Sequence, residues 1–237
     1  MNVLEDLNIP LIQSKRIPVK LLIEQSKPTP ENKKILESSI ASMYLVSILN
    51  EQTIRIRSYK DDNFSYQSIY VFIIELKQDN NINTLAHLVH SAFPEPTLLL
   101  FRYKTINYVS AASKRINKIE QNKTVVEESI TTQLTSNIDN QLLDISLIKE
   151  KDLYDYYNKL ITWIYKLKVL SITGVYPNQE LNFKLLLKQY DELKSNINKL
   201  KEDYKVATMT SDKMRIDDML FDAEVQLNQL IKLLKER

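Results

Sequence analysis

The chain has 237 residues, 43% hydrophobic and 26% charged, with a net charge of +2, as in an ordinary globular protein with one large domain or a core and an appendage. No run approaches the roughly 18 apolar residues that cross a bilayer, and Met1 to Pro10 carries acids where a secretion signal needs a basic start, so the expected location is cytoplasmic. The absence of cysteine excludes disulfides, thiolate zinc sites and cysteine nucleophiles, and the single glycine, Gly174, excludes phosphate-cradling loops, dinucleotide fingerprints and nucleophile elbows, which depend on glycine backbone geometry.

In chain order, Ile17 to Ile23 is a short apolar segment of either type. Thr29-Pro30 is a helix start, with Thr29 as the cap and Pro30 at the first helical position. Leu36, Ile40 and Met43 then form one apolar stripe, which predicts a helix to about Leu49. Thr53 to Tyr59 alternates strictly, Ile54 and Ile56 against Arg55 and Arg57, as in a half-buried strand. After the turn residues Asp61, Asp62 and Asn63, the continuously apolar run Ser68 to Lys77 reads as a central strand buried on both faces. Ile82 to Phe93 reads as a helix stopped by Pro94 and Pro96, followed by strands at Thr97 to Tyr103 and Ile106 to Ala112.

Beyond Ala112 the pattern becomes helical. Leu153, Tyr157, Leu160, Ile164 and Leu167 form a stripe that Tyr156, Trp163 and Leu170 widen, Gly174 follows as a helix stop, and Ser171 to Asn178 is the expected hinge. Two heptad runs then match: Leu186, Tyr190, Leu193, Ile197, Leu200 and Tyr204, and Ile216, Leu220, Ala223, Leu227, Leu230 and Leu234, both spaced 4-3-4-3-4. The polar break Ala207 to Asp212 lies between them, so an antiparallel helical hairpin is expected. The fold class is therefore α+β: a small mixed sheet with flanking helices over 1–125, a helical connection over 126–177 and the hairpin over 178–237.

Chemistry-bearing constellations are few. Glu75 and Lys77 project from one face at a strand end, and with Asp62 they resemble the acid and acid-x-Lys signature of the restriction-endonuclease-like superfamily. That likeness covers residues 31 to 103, has Glu37 as an extra acid, and departs from the pattern at Lys60, where the hallmark proline is missing. It implies a Mg²⁺-dependent nuclease with Asp62, Glu75 and Lys77 as catalytic residues, and outside that alternative no cofactor or metal is expected. His87 and His90 share a helix face, but no cysteine can complete a zinc site.

Charge is segregated. Arg102, Lys104, Lys114, Arg115, Lys118 and Lys123 face only Glu120 between them, whereas Glu127, Glu128, Asp139, Asp144, Glu150, Asp152 and Asp155 dominate the next stretch. With Arg55 and Arg57, the basic residues Arg102, Lys104, Lys114, Arg115 and Lys118 form a candidate surface for DNA or RNA. Acids and bases balance across the hairpin, which points to protein docking or homodimerisation through Leu193, Ile197, Leu200, Leu220, Leu227 and Leu230.

Ile17-Pro18, Thr53-Ile54-Arg55-Ile56, Glu75-Leu76-Lys77, Phe93 to Leu100, Ser110 to Asn117, Thr124 to Thr132 and the hairpin together resemble an uncharacterised bacterial family. That resemblance implies an accessory protein encoded beside helicases and DNA methyltransferases in phage-defence neighbourhoods, and it supplies no catalytic residues. The expected function is a non-catalytic adaptor subunit of a nucleic-acid-linked defence assembly, with a helicase or methyltransferase as partner.

Overall fold

The computed structural model describes residues 8–120, 123–134, 149–179 and 181–235. Strands β1 (Lys15–Arg16), β2 (Ile40–Leu49), β5 (Ile69–Leu76), β6 (Thr97–Tyr103), β7 (Ile106–Ile116) and β8 (Thr124–Gln133) form a six-stranded sheet in the order β1-β2-β5-β6-β7-β8, and β3 (Tyr59–Lys60) pairs with β4 (Ser65–Tyr66) in a separate hairpin. The β5–β6 pair is parallel and every other pair antiparallel. Helices α1 (Val19–Ser26), α2 (Pro30–Ser39), the single turn α3 (Glu51–Ile54) and α4 (Ile82–Ala92) accompany the sheet; α5 (Leu153–Thr173), α6 (Phe183–Val206) and α7 (Thr210–Lys235) follow. This is the expected α+β class, a mixed sheet followed by helices. Among the described residues no helix is long and apolar enough to cross a membrane.

Three local expectations are corrected. The helix from Thr29 stops at Ser39, and Ile40–Leu49 is a strand. Its buried apolar residues Ile40, Met43, Val46 and Leu49 recur every third position, which imitates a helical stripe. Register shifts between Ile40 and Ser42 and between Leu45 and Ser47 account for this, because bulges interrupt the strand period of two. The predicted strand at Thr53 to Tyr59 begins instead as α3, where the Asn50 side chain accepts from Gln52 and Thr53 N–H and Thr53 Oγ1 accepts from Asn50 N–H. This capping box stops strand formation, and Arg55 closes the turn at φ 58°. Finally, β7 continues to Ile116 and β8 pairs along it to Gln133, so the sheet extends past residue 125. The β-branched density of Thr124, Val125, Val126, Ile130, Thr131 and Thr132 was the available signal.

One sheet face carries Phe72, Ile74, Leu99 and Phe101, packed with Leu36 of α2 and with Leu85, Ala86, Val89 and Ala92 of α4 in one apolar cluster. The alternate residues Val71, Leu98, Leu100, Val109 and Ala111 are buried as well, which is why these strands read as continuous apolar runs. Tyr154 of α5 stacks on Tyr59 at 5.0 Å and meets Tyr66 edge-on at 5.1 Å, pinning the β3–β4 hairpin. Gly174 takes φ +73° just past α5, as a helix stop requires.

The chain divides into two compact units, Met1–Ile164 and Tyr165–Arg237, and the division falls inside α5. Within the second unit α6 and α7 form the helical hairpin. Phe183, Leu187, Ile197 and Leu200 of α6 and Ile216, Ala223, Leu230 and Leu234 of α7 are its buried residues, and Lys201 meets Glu224 across the pair at 3.1 Å.

Candidate functional site

The acid-x-Lys triplet and its proposed aspartate stand at opposite ends of the sheet. Glu75 pairs in register with Arg102, which pairs with Asn107, and Arg102 Nη1 lies 3.5 Å from Glu75 Oε1. Asp62 sits in the β3–β4 turn, whose Asn63 carbonyl accepts from Ile116 N–H at 2.7 Å. Asn107 to Ile116 spans about 30 Å of β7, far beyond the few ångströms over which two carboxylates share a cation. Lys77 Nζ donates to the Glu37 carbonyl at 2.9 Å, and its backbone N–H donates to Ser39. The lysine thus closes the C-terminal end of α2, where a cation suits the helix dipole. Asp62, Glu75 and Lys77 form no common site, and the described residues contain no cluster of three or more carboxylates and histidines placed to hold a metal.

A polar cleft of about 690 Å³ does open beside Asp62, between the β3–β4 turn and the β7–β8 turn, lined by Lys60, Asp62, Glu95, Asn117, Lys118 and Thr124. Asp61, at its edge, holds the turn: it accepts from Asn63 and Phe64 N–H at 2.8 and 2.6 Å and from the Tyr59 hydroxyl at 2.8 Å. Those bonds, the Tyr59 bond first, hold its carboxyl below the usual range. The cleft mixes both signs of charge and assembles no catalytic group.

The basic surface is dispersed in the same way. Lys114 is 2% exposed, and its Nζ donates to the carbonyls of Phe93 and Glu95 at 2.8 and 2.6 Å. Burial lowers its pKa to about 7, partly opposed by the nearby Glu95 carboxylate. It cannot reach a phosphate, which corrects its place among nucleic-acid contacts. Arg115 pairs with Glu127 at 3.4 Å and Lys123 pairs with Glu120. Arg102 and Lys104 flank the β6–β7 turn while Lys118 lies beyond the far end of β7, about 35 Å away. That is several Debye lengths at physiological salt, so the cations act separately. Arg55 and Arg57 lose their common strand face because Arg55 ends α3. Of the acidic stretch, Asp139 and Asp144 lie outside the described residues.

His90 is wholly buried in a side-chain chain that sequence reading missed. Ser110 Oγ donates to the Ile130 carbonyl and accepts from Thr131 Oγ1, both at 2.9 Å. Its remaining lone pair therefore takes a proton from His90 Nε2, also at 2.9 Å, and His90 Nδ1 accepts from the Thr97 hydroxyl. A neutral ring satisfies every partner, and burial first, then the charges of Lys114 and His87, pushes its pKa well below the ordinary value. The Ser110–His90 contact has the distance of a nucleophile and its base, but both residues are fully buried. The chain of bonds joins α4 to β6, β7 and β8.

The hairpin offers the clearest interaction geometry. Leu193, Ile197, Leu200, Leu220, Leu227 and Leu230 lie on the facing sides of α6 and α7, buried or half-buried. The structure places them in the seam between the two helices, where Leu193, Leu220 and Leu227 stay half-buried. A second apolar stripe runs along the outside of α7: Met214 is 65% exposed, Phe221 69% and Val225 37%. At about 100° per residue these three fall within about 20° of one line, nearly opposite the Ile216-to-Leu234 seam. Including Asp218, the stripe is spaced 4-3-4, the seam pattern displaced by two residues; that repetition was the signal available in the sequence.

A family profile described as Domain of unknown function (DUF4391) matches residues 11–227. No curated protein and no solved structure matches the chain.

Proposed function

The chain belongs to the DUF4391 family, a domain of unknown function, and from that premise we propose that it is a non-catalytic adaptor which docks a protein partner through the outer face of its C-terminal hairpin. The observation that carries this reading is the exposed stripe Met214, Phe221 and Val225. A helix whose inner seam already satisfies its hairpin has no internal use for a second apolar line, and such lines are the usual anchors of helix-mediated docking. The dispersal of the carboxylates and cations across the sheet unit supports a binding role over catalysis. The resemblance to accessory proteins of phage-defence neighbourhoods supplies the setting: a cytoplasmic, nucleic-acid-linked assembly with a helicase or methyltransferase as the docked subunit.

Co-purification from the native host with full-length tagged chain tests this. Phe221→Asp is expected to reduce recovery of the helicase or methyltransferase at least tenfold, in line with loss of an aromatic hot spot of about 2 kcal/mol, while circular dichroism stays unchanged. Undiminished recovery would move the docking surface off α7.

A further inference from the structure

We propose that the partner element seated on α7 is a cationic amphipathic helix; this rests on the docking reading above and specifies its ligand. Asp218 interrupts the apolar stripe one turn from Met214 and one turn from Phe221. Asp222 borders it on the same side, and Asp217 and Glu224 border the other side at about 60–80° from the Met214 line. Glu224 is already met by Lys201 at 3.1 Å, whereas Asp217, Asp218 and Asp222 make no ion pair among the described residues. No base lies between Arg215 and Lys232. The surface is an apolar line with an acid embedded in it and acids along its edges, and its complement carries apolar residues at matching spacing with Lys or Arg opposite Asp218 and Asp222.

A second copy of the same helix fits poorly. An antiparallel pairing that sets Met214 against Val225 brings Asp217 against Asp222 and Asp218 beside Phe221; its one opposite-charge pair sets Arg215 against Glu224, which Lys201 already meets. Shifting the register to pair Asp218 with Lys232 sets Phe221 against Gln229 and carries Met214 past Lys235. A parallel pairing sets each aspartate beside its own copy. Like charges directly opposed oppose association, so each self-pairing loses either the apolar match or the charge match. Nucleic acid is disfavoured by the same acids.

The test uses the full chain and two synthetic helical peptides, each with leucines at the 4-3-4 spacing, one flanked by lysines and the other by glutamates. Fluorescence anisotropy is expected to show the lysine peptide binding about tenfold more tightly at low salt, from a few exposed ion pairs, with the difference shrinking as salt rises. The double variant Asp218→Lys, Asp222→Lys is expected to reverse the preference, and Phe221→Asp to abolish binding of both peptides. Equal binding of the two peptides, binding of neither, or an unchanged preference in the double variant overturns the cationic partner. So does concentration-dependent dimerisation of the full chain that Phe221→Asp removes, which would make a second copy the occupant. These outcomes are separable from the docking reading itself, which fails only if Phe221→Asp leaves recovery of the native partner intact.

Discussion

Tyr157 serves two backbone groups that sheet pairing leaves over. The β6–β7 ladder begins at Leu99 and Ser110, and at the adjoining positions the Tyr157 hydroxyl accepts from Ala112 N–H at 3.1 Å and donates to the Thr97 carbonyl at 2.8 Å. Burial pushes its pKa up, so it remains a neutral donor. Tyr157→Phe keeps the ring and removes both bonds inside the protein, and is expected to cost about 2–4 kcal/mol in urea unfolding. A loss under about 0.5 kcal/mol would mean that Thr97 and Ala112 re-pair with each other. Sequence placed Tyr157 on a buried stripe but could not assign its hydroxyl, because the partners lie 60 and 45 residues away. Lys114 shows the same limit. Among neighbouring bases it reads as surface charge, and only the path of Phe93 and Glu95 around it makes it an internal donor.

At the scale of the element, α7 separates stability from recognition on two faces of one helix. The inner seam excludes water, so Leu200→Ala on the facing helix, at a residue 6% exposed, is expected to destabilise the hairpin by about 2–3 kcal/mol. Phe221→Asp on the outer face should change stability by less than about 0.5 kcal/mol. Helical ellipticity followed through urea unfolding checks both, and comparable losses from the two variants would show that Phe221 is packed rather than presented. The inner seam was legible because an unbroken apolar heptad suits little besides a packed helix face. The outer stripe was harder to see because Asp218 breaks it, and its exposure appears only when the helix pair is assembled. Strand β2 fails in the opposite direction, since two bulges turn a strand's alternation into a helix-like interval.

For the molecule as a whole, the buried His90 network sets a pH dependence of unfolding. Its folded pKa is depressed, so below about pH 6.5 the unfolded chain binds more protons than the folded one and stability falls as pH drops. The contribution is fully present above that value. Between pH 7.5 and 5.5 the urea midpoint is expected to decrease, and His90→Gln to flatten the decrease. An identical slope in the variant would place the titration elsewhere. Within the sequence, periodicity alone determined the buried central strand, the helix after it, the two strands that follow and the hairpin, because side-chain burial repeats with backbone geometry over short distances. Only the tertiary structure decided which chemical groups meet. Strand order β2-β5-β6-β7 sets Asp62 and Glu75 at opposite ends of the sheet and splits the cations between those ends. Pairing across the sheet depends on contacts far apart in the chain, which local spacing does not encode. The outer face of α7 belongs to both levels: its apolar spacing is written in the sequence, and its availability follows from α6 taking the other side.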